Sequence, residues 1–255
     1  MEPEVSIIII TKQEEKCLPR LLASIKNQTF KNYEVIVSDA QSTDRTREIA
    51  ESYGCKIVEG GLPSTGRNNG ARVAKGNILI FFDADVSIPK DFLKENIKEF
   101  KRRNLACATA IYVPISHRID DKVIMFLYNF WARIMEPFIP YAGGVCIISS
   151  KDVFKKTGGF NEKLIIVEDN AFVRSCTKFG KFKILKGAPL FYDVRRLEKE
   201  GRLRLVLKYS YHGVYRILFD DPSKAPFNYV YHGDVEVKRG KSFDDQDFQR
   251  VINKI

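Results

Sequence analysis

The chain is poor in the residues that build disulfide and zinc frameworks. Its five cysteines, at positions 17, 55, 107, 146 and 176, are odd in number and never spaced C-x-x-C, which excludes a disulfide scaffold and a structural zinc site. Histidine is scarcer still: His117, His212 and His232 stand in unlike settings and form no ligand pattern. Long apolar runs are missing too. The most lipid-like stretch, 123–132, ends at Arg133 and Glu136 after about ten residues, against roughly 20 for a bilayer span. Glu2 and Glu4 stand where a secretory leader has basic residues, and the apolar run 5–10 is too short to serve as one. These absences predict a reduced, cytoplasmic setting. The turn after the first apolar run, Thr11-Lys12-Gln13-Glu14-Glu15, contains no glycine. That excludes both the G-x-G-x-x-G turn of dinucleotide oxidoreductases and the glycine-rich, arginine-bearing loop expected of a nucleotidyltransferase.

What is present is an excess of base, 42 Lys and Arg against 32 Asp and Glu in 255 residues, for a formal charge of +10. Such a field attracts nucleic acid, anionic lipid and phosphorylated small molecules alike. Lys101-Arg102-Arg103, Arg195-Arg196, and the 18 Phe and 11 Tyr keep a nucleic-acid-binding protein in view as the alternative. No RNA- or DNA-binding motif accompanies them, and the acids described below would repel phosphate unless a metal intervened.

From 1 to about 113, short apolar runs alternate with amphipathic stretches, the pattern of strand and helix in a mainly parallel sheet. Strands are predicted over 5–10, 33–37, 56–58, 77–82 and 105–113. Helices are predicted around Leu18, Leu21, Leu22 and Ile25, and over 43–53, 65–75 and 89–102. The second half reads as a helix over 119–135, a buried strand over 144–148, helices over 151–156 and 168–179, and a basic helix over 202–219. The tail beyond 220 has no clear period. The expected organisation is one α/β domain over 1–200, with a nucleotide-binding part to about 113 and an acceptor-side part over 114–200, followed by a C-terminal extension over 201–255. The aromatic helix around 123–135 has three placements open to it: the core, a partner chain, or the inner face of a membrane as a peripheral contact.

In parallel sheets ligands bind beyond the carboxyl ends of strands, so acids that follow apolar runs are candidate chemistry. Asp39 ends one run and is followed by Gln41-Ser42-Thr43-Asp44, where Ser42 and Thr43 suit a nucleoside contact and a helix cap equally. Asp83-Ala84-Asp85 ends the run 78–82. Carboxylates at i and i+2 can share a divalent ion with a substrate diphosphate, and hard oxygens without His or Cys favour Mg or Mn over zinc. Glu168-Asp169 opens a helix behind a second apolar run, 164–167. It suits either helix-dipole stabilisation or a general base, since an ionised Asp can accept the proton of an attacking hydroxyl.

Taken together and in this order, these segments resemble family 2 of the inverting glycosyltransferases over roughly 5–200. The resemblance implies a GT-A fold: a Rossmann-like central sheet flanked by helices, with a smaller acceptor-side part. Thr11 and Glu14 match positions that contact the nucleotide. Asp39-Ala40-Gln41-Ser42-Thr43-Asp44 matches the D-x-x-S-x-D segment whose first Asp binds the base, uracil by default. Gly66-Arg67-Asn68-Asn69-Gly70 resembles the segment whose Arg approaches the nucleotide, a structural ion pair being the other role open to Arg67. Asp83-Ala84-Asp85 matches the D-x-D, with Asp83 toward ribose and Asp85 toward the metal. Gly158-Gly159-Phe160-Asn161-Glu162 followed by Glu168-Asp169 is similar to the acceptor-side stretch with its catalytic acids, which implies Asp169 as the base. Tyr141 to Gly144, including Gly143, would border the acceptor with Glu168. Arg195 and Arg196 resemble a basic segment that approaches the diphosphate. The chain departs from the family at Ile10, where Pro is usual, and at Lys12, where an aromatic residue often stacks on the base. The Q-x-x-R-W motif of processive synthases is absent, which implies single transfer. The implied partners are a nucleoside diphosphate sugar and a glycan, polyprenyl-linked or other hydroxyl acceptor.

Overall fold

The computed structural model describes residues 2–164 and 167–202. Its frame is a seven-stranded sheet of β1 (Val5–Thr11), β2 (Tyr33–Asp39), β3 (Lys56–Glu59), β4 (Ile78–Asp83), β6 (Leu105–Thr109), β8 (Cys146–Ser150) and β9 (Lys181–Ile184), in the order β3-β2-β1-β4-β8-β6-β9. The first four run parallel, β8 is antiparallel to both its neighbours, and β9 is parallel to β6. A second sheet of three strands sets β5 (Val86–Ser87), β10 (Leu190–Asp193) and β7 (Tyr112–Ile115) side by side.

Helices cover both faces of the large sheet, which is why its central strands β1 and β4 carry continuous apolar runs rather than an alternating pattern. Ile7 and Ile9 of β1 and Ile80 and Phe82 of β4 point to one face. There they pack with Leu18, Leu21 and Ile25 of α1 (Leu18–Lys26) and with Phe92 and Ile97 of α4 (Phe92–Arg102). Ile8, Leu79 and Phe81 point to the other face, against Val153 of α6 (Lys151–Thr157) and Phe172 of α7 (Glu168–Cys176). Phe81 and Phe82 are fully buried, worth roughly 1.5–3 kcal/mol each on folding. On the α7 side Phe160 meets Phe81 at 5.1 Å and Phe172 at 4.2 Å between ring centres, which ties the chain before α7 to the sheet. Proline starts α1 and also α3 (Pro63–Val73), where its missing N–H costs nothing.

The expected α/β architecture is present, with three local differences. The stretch 105–113 is two strands in two sheets rather than one. Asn129 of α5 (Ile119–Met135) causes the break: its side chain accepts from Tyr112 N at 3.1 Å and donates to Tyr112 O at 2.7 Å, taking the place of a strand partner. The second difference is α2 (Thr46–Ser52), which starts three residues later than expected. The Asp44 carboxylate accepts from Thr46 N at 3.0 Å and so holds 43–45 as a turn; Ser42 and Thr43 do not cap the helix. The third is that β5, β9 and β10 have no counterpart in the sequence reading, being two to four residues long. The 144–148 strand lies at Cys146–Ser150, and α8 (Arg195–Glu200) precedes the basic stretch. Residues 203–255, with most of the expected 202–219 helix, lie outside the described residues. No helix among the described residues is long and apolar enough to cross a membrane.

Candidate active site

Strand order reverses between β1 and β4, and in open α/β sheets ligands settle beyond the carboxyl ends of the strands at such a point. Thr11 ends β1 opposite Asp39 of β2, and Ile10 lies opposite Asp83 of β4. Three adjacent parallel strands thereby deliver the sequence-predicted residues Thr11, Asp39 and Asp83 to one rim.

On the β2 side the Asp39 carboxylate is fully buried and filled with donors. Thr11 Oγ1 donates at 2.9 Å and Ser42 Oγ at 2.6 Å to Oδ1, while Ser42 N at 3.0 Å and Arg47 at 3.3 Å donate to Oδ2. The loop after β1 is stitched to the loop after β2. Gln13 N donates to Ser42 Oγ at 2.9 Å, Thr43 N to Gln13 Oε1 at 2.6 Å, Glu14 N to Thr46 Oγ1 at 2.8 Å, and Glu15 N to Asp44 Oδ2 at 3.1 Å. Gln13 and Gln41 hold left-handed backbone at φ of 56° each, which lets both loops turn back toward one another.

On the β4 side the acids gather around two arginines. Arg67 of α3, only 2% exposed, donates to Glu168 Oε1 at 2.8 Å, Asp83 Oδ1 at 3.1 Å and the Gly144 carbonyl at 3.1 Å. Burial alone would lower the guanidinium's pKa, but Asp83, Glu168 and Asp169 outweigh it and hold Arg67 charged. A methyl group on Gly144 would come within 2.8 Å of Arg67 Nη2 and 3.3 Å of Asp169 Oδ2, so Asp169 lies beside the same guanidinium and a larger residue there would displace one of them. The Asp169 Oδ1 atom also accepts from Asn170 N at 2.6 Å. Before this acidic pair, Val167 holds φ at 59°, a strained state for a β-branched residue of the kind that gathers at functional sites.

Arg195 is the second centre, with Nη2 3.3 Å from Glu14 Oε2 and 3.6 Å from Asp85 Oδ2. Asp193 supports it by accepting from Arg195 N at 3.0 Å and from Arg20 at 2.9 Å, and Asp193 N donates to the Asp85 carbonyl at 3.1 Å. The two clusters share one field. Burial, then Asp85, pushes the Glu14 carboxyl up to about 7. Burial likewise lifts Asp83 to about 6 against the pull of Arg67, with Asp85 and Glu168 adding to the rise. Asp85 is raised by burial despite Arg195. The cleft therefore carries more carboxylate than its arginines neutralise.

Gly143 borders the cleft on the α5 side, where its carbonyl accepts from Tyr112 OH at 3.0 Å. Tyr112 stacks on Tyr128 at 5.8 Å, and Tyr141 meets Tyr128 at 6.0 Å and Trp131 at 5.9 Å. The Gly158-Gly159 turn is held from α3. Asn68 Nδ2 donates to Phe160 O at 2.8 Å and Phe160 N donates to Asn68 Oδ1 at 2.9 Å; Gly159, at φ 82°, passes so close that a methyl would meet Asn68 Oδ1 at 2.6 Å.

The structure thus brings Thr11, Glu14, Asp39, Arg67, Asp83, Asp85, Gly143, Gly144, Glu168, Asp169 and Arg195 to one end of the sheet. The Arg196 side chain lies outside the described residues. Arg20, Asn68 and Asp193 are the supporting residues that sequence reasoning missed. Arg20 and Asp193 are 173 positions apart, and no local pattern marks such a pair.

Comparison with known proteins bears on the family and the fold. The family model described as Glycosyl transferase family 2 matches residues 6–158. A curated relative from Methanococcus voltae, a dolichyl N-acetyl-alpha-D-glucosaminyl phosphate 3-beta-D-2,3-diacetamido-2,3-dideoxy-beta-D-glucuronosyltransferase, is 28% identical over 59% of this chain and 49% of its own. Among solved structures, Staphylococcus aureus TarS in complex with UDP-GlcNAc superposes with a TM-score of 0.62 at 22% identity, covering 75% of this chain and 59% of that one. A mannosyltransferase from Pyrobaculum calidifontis in complex with GDP-Man and Mn2+ superposes at 0.66 and 20% identity, covering 85% and 65%. The two superpositions establish the GT-A fold. The chain spans 27%, 60% and 49% of the length of three of the curated relatives it matches. With its motifs in order, its acids at the switch point and a family model covering more than half its length, the chain belongs to glycosyl transferase family 2.

Proposed function

We propose that the protein transfers a sugar from a nucleoside diphosphate sugar, with UDP favoured, to one hydroxyl of a glycan or polyprenyl-linked acceptor, in a single displacement that inverts the anomeric carbon. The observation that carries this reading is the meeting of two differently equipped clusters in one cleft: Glu14 and Asp85 around Arg195 on one side, and Asp169 beside Arg67, Asp83 and Gly144 on the other. The first suits a charged diphosphate, the second a hydroxyl that must lose a proton.

In this mechanism Asp169 accepts the proton of the acceptor hydroxyl as its oxygen attacks the anomeric carbon, and the bond to the diphosphate breaks on the opposite side. Glu168, engaged by Arg67, positions rather than reacts. Glu14 faces the nucleoside, the buried Asp39 holds Thr11 and Ser42 in the two loops beside it, and Arg195 offsets charge on the leaving diphosphate. A divalent Mg or Mn fits the donor set. Asp85 and Asp83 offer hard oxygens, and the raised Glu14, Asp83 and Asp85 carboxyls mark a surplus of negative charge that a cation relieves. Asp85 and Asp83 would hold such an ion together with the substrate, since no group of three metal-type ligands converges among the described residues. When bound, such an ion supplies charge neutralisation to the leaving group.

The names of the relatives lend support from outside: UDP-GlcNAc for one, GDP-Man with Mn2+ for another, and a dolichyl-linked acceptor for a third. The test is thermal stabilisation by a panel of nucleoside diphosphates with and without Mn, followed by sugar transfer to a polyprenyl phosphate-linked glycan. Stabilisation by one diphosphate only with Mn, about 2.7 kcal/mol at a hundredfold excess over Kd, is the expected result. A salt-sensitive gel shift with nucleic acid and no response to any diphosphate would replace this reading with the nucleic-acid alternative.

A further inference from the structure

Helix α5 presents an apolar stripe to the outside. Met125 and Ala132 are buried, but Ile119, Val123, Phe126, Phe130 and Ile134, spaced four, three, four and four residues apart, share one face and stand 78%, 49%, 67%, 56% and 53% exposed. Phe126 and Phe130 stack on each other at 6.3 Å rather than on the core. A contiguous stripe of this size marks an interaction site rather than ordinary surface.

The charges beside it say what it meets. Lys122 and Arg133, both exposed, lie next to the stripe on the same helix, whereas the acids of α5 are already engaged: Asp120 by Arg118 and Asp121 by Arg202. Arg133 also lines a groove with Lys98, Arg102 and Lys186, and none of these four forms an ion pair among the described residues. The neighbouring Glu99 and Glu136 are taken up by Arg103 and Lys183. An apolar stripe continuous with unpaired cations complements an anionic lipid surface; two copies packed face to face would oppose like charges. The helix is too short and too charged to cross the bilayer, so it would lie along it.

On its inner side α5 reaches the cleft through Tyr128, which stacks on Tyr112, whose hydroxyl holds Gly143 next to the Gly144 and Asp169 pair. We infer that α5 and the groove at Arg133 dock the protein on an anionic membrane surface and present a lipid-borne acceptor hydroxyl to Asp169. This rests on the transferase reading above.

The experiment is flotation of the purified full chain with vesicles of phosphatidylcholine alone and of equimolar phosphatidylcholine and phosphatidylglycerol. The chain should float with the anionic vesicles and not with the neutral ones. Joint Phe126→Ser and Phe130→Ser should lower the bound fraction by roughly tenfold or more. Joint Lys98→Ala, Arg102→Ala and Lys186→Ala should lower it by roughly tenfold and flatten its salt dependence. Both variants should keep the wild-type thermal response to nucleoside diphosphate, which shows that they are folded and separates this inference from the donor reading. Wild-type protein that ignores anionic vesicles, or a Phe126→Ser, Phe130→Ser protein that floats like wild type, overturns the docking surface and leaves the donor reading standing. A dimer in sedimentation velocity that the same pair disperses, with no vesicle binding, overturns it in favour of a second copy.

Discussion

Arg67 donates to Glu168 at 2.8 Å across 101 positions of sequence, and the same guanidinium reaches Asp83 at 3.1 Å. One buried cation therefore sets the distance between the end of β4 and the start of α7, two of the places that supply acids to the cleft.

Replacing Arg67 by Met leaves Asp83 and Glu168 facing each other without their cation. Breaking a buried pair of this kind costs about 3–5 kcal/mol. Urea denaturation of Arg67→Met should show a loss of that size, and Glu168→Gln a smaller one. Equal stability of Arg67→Met and wild type would mean that the pair is solvated.

Asp169→Asn keeps the side chain's shape and removes its basicity. Turnover should fall by about 10²–10⁴-fold, while stabilisation by nucleoside diphosphate stays as in the parent. Wild-type transfer by the Asn variant would move the base to another residue.

Gly144→Ala puts a methyl 2.8 Å from a guanidinium that three acceptors hold in place. The guanidinium or the Gly144 backbone must shift, at about 1–3 kcal/mol, and the Asp169 carboxylate shifts with it. The expected variant is destabilised and slow in transfer. If its melting temperature and rate match wild type, the close approach is not real.

Thiols provide a pH test away from the cleft. Burial lifts Cys55 to about 11, and a hydrogen bond that the Cys107 thiol makes with Cys176, together with burial, raises Cys107 far above its ordinary value. Above about pH 8.5 the unfolded chain sheds these protons while the folded chain keeps them. Their contribution is therefore complete below that pH and is lost as pH rises, by up to ~1.4 kcal/mol per pH unit for each thiol. The urea midpoint should fall between pH 8 and pH 10, and Cys55→Ser should make the fall shallower. A midpoint equally steep in the variant would assign the slope to other groups.

The central frame was legible because β1 and β4 carry uninterrupted apolar runs, Ile7 to Ile10 and Ile78 to Phe82, that stop at a polar residue. That pattern locates both the buried strands and the rim where chemistry is placed. The acids themselves were legible as types at strand ends. What they bond to was not: Ser42 and Thr43 look like helix caps, yet with Asp44 they serve the neighbouring loop through Gln13 and Glu15. Asp193, which pairs with Arg20, and Glu168, one of the partners of Arg67, lie more than 100 positions away, a separation at which no periodicity carries information. The small second sheet escaped notice because its strands of two to four residues are shorter than any repeat that could announce them.

The placement of β8 between β4 and β6 bears on how the molecule can be cut. A fragment ending at β7 would strip β4 of its neighbour and leave Ile78 to Phe82 with a bare row of amides and carbonyls along an aromatic ribbon. Such a rim recruits other chains. The donor-side half should therefore precipitate when expressed alone, and limited proteolysis should find no durable core that lacks residues 146–150.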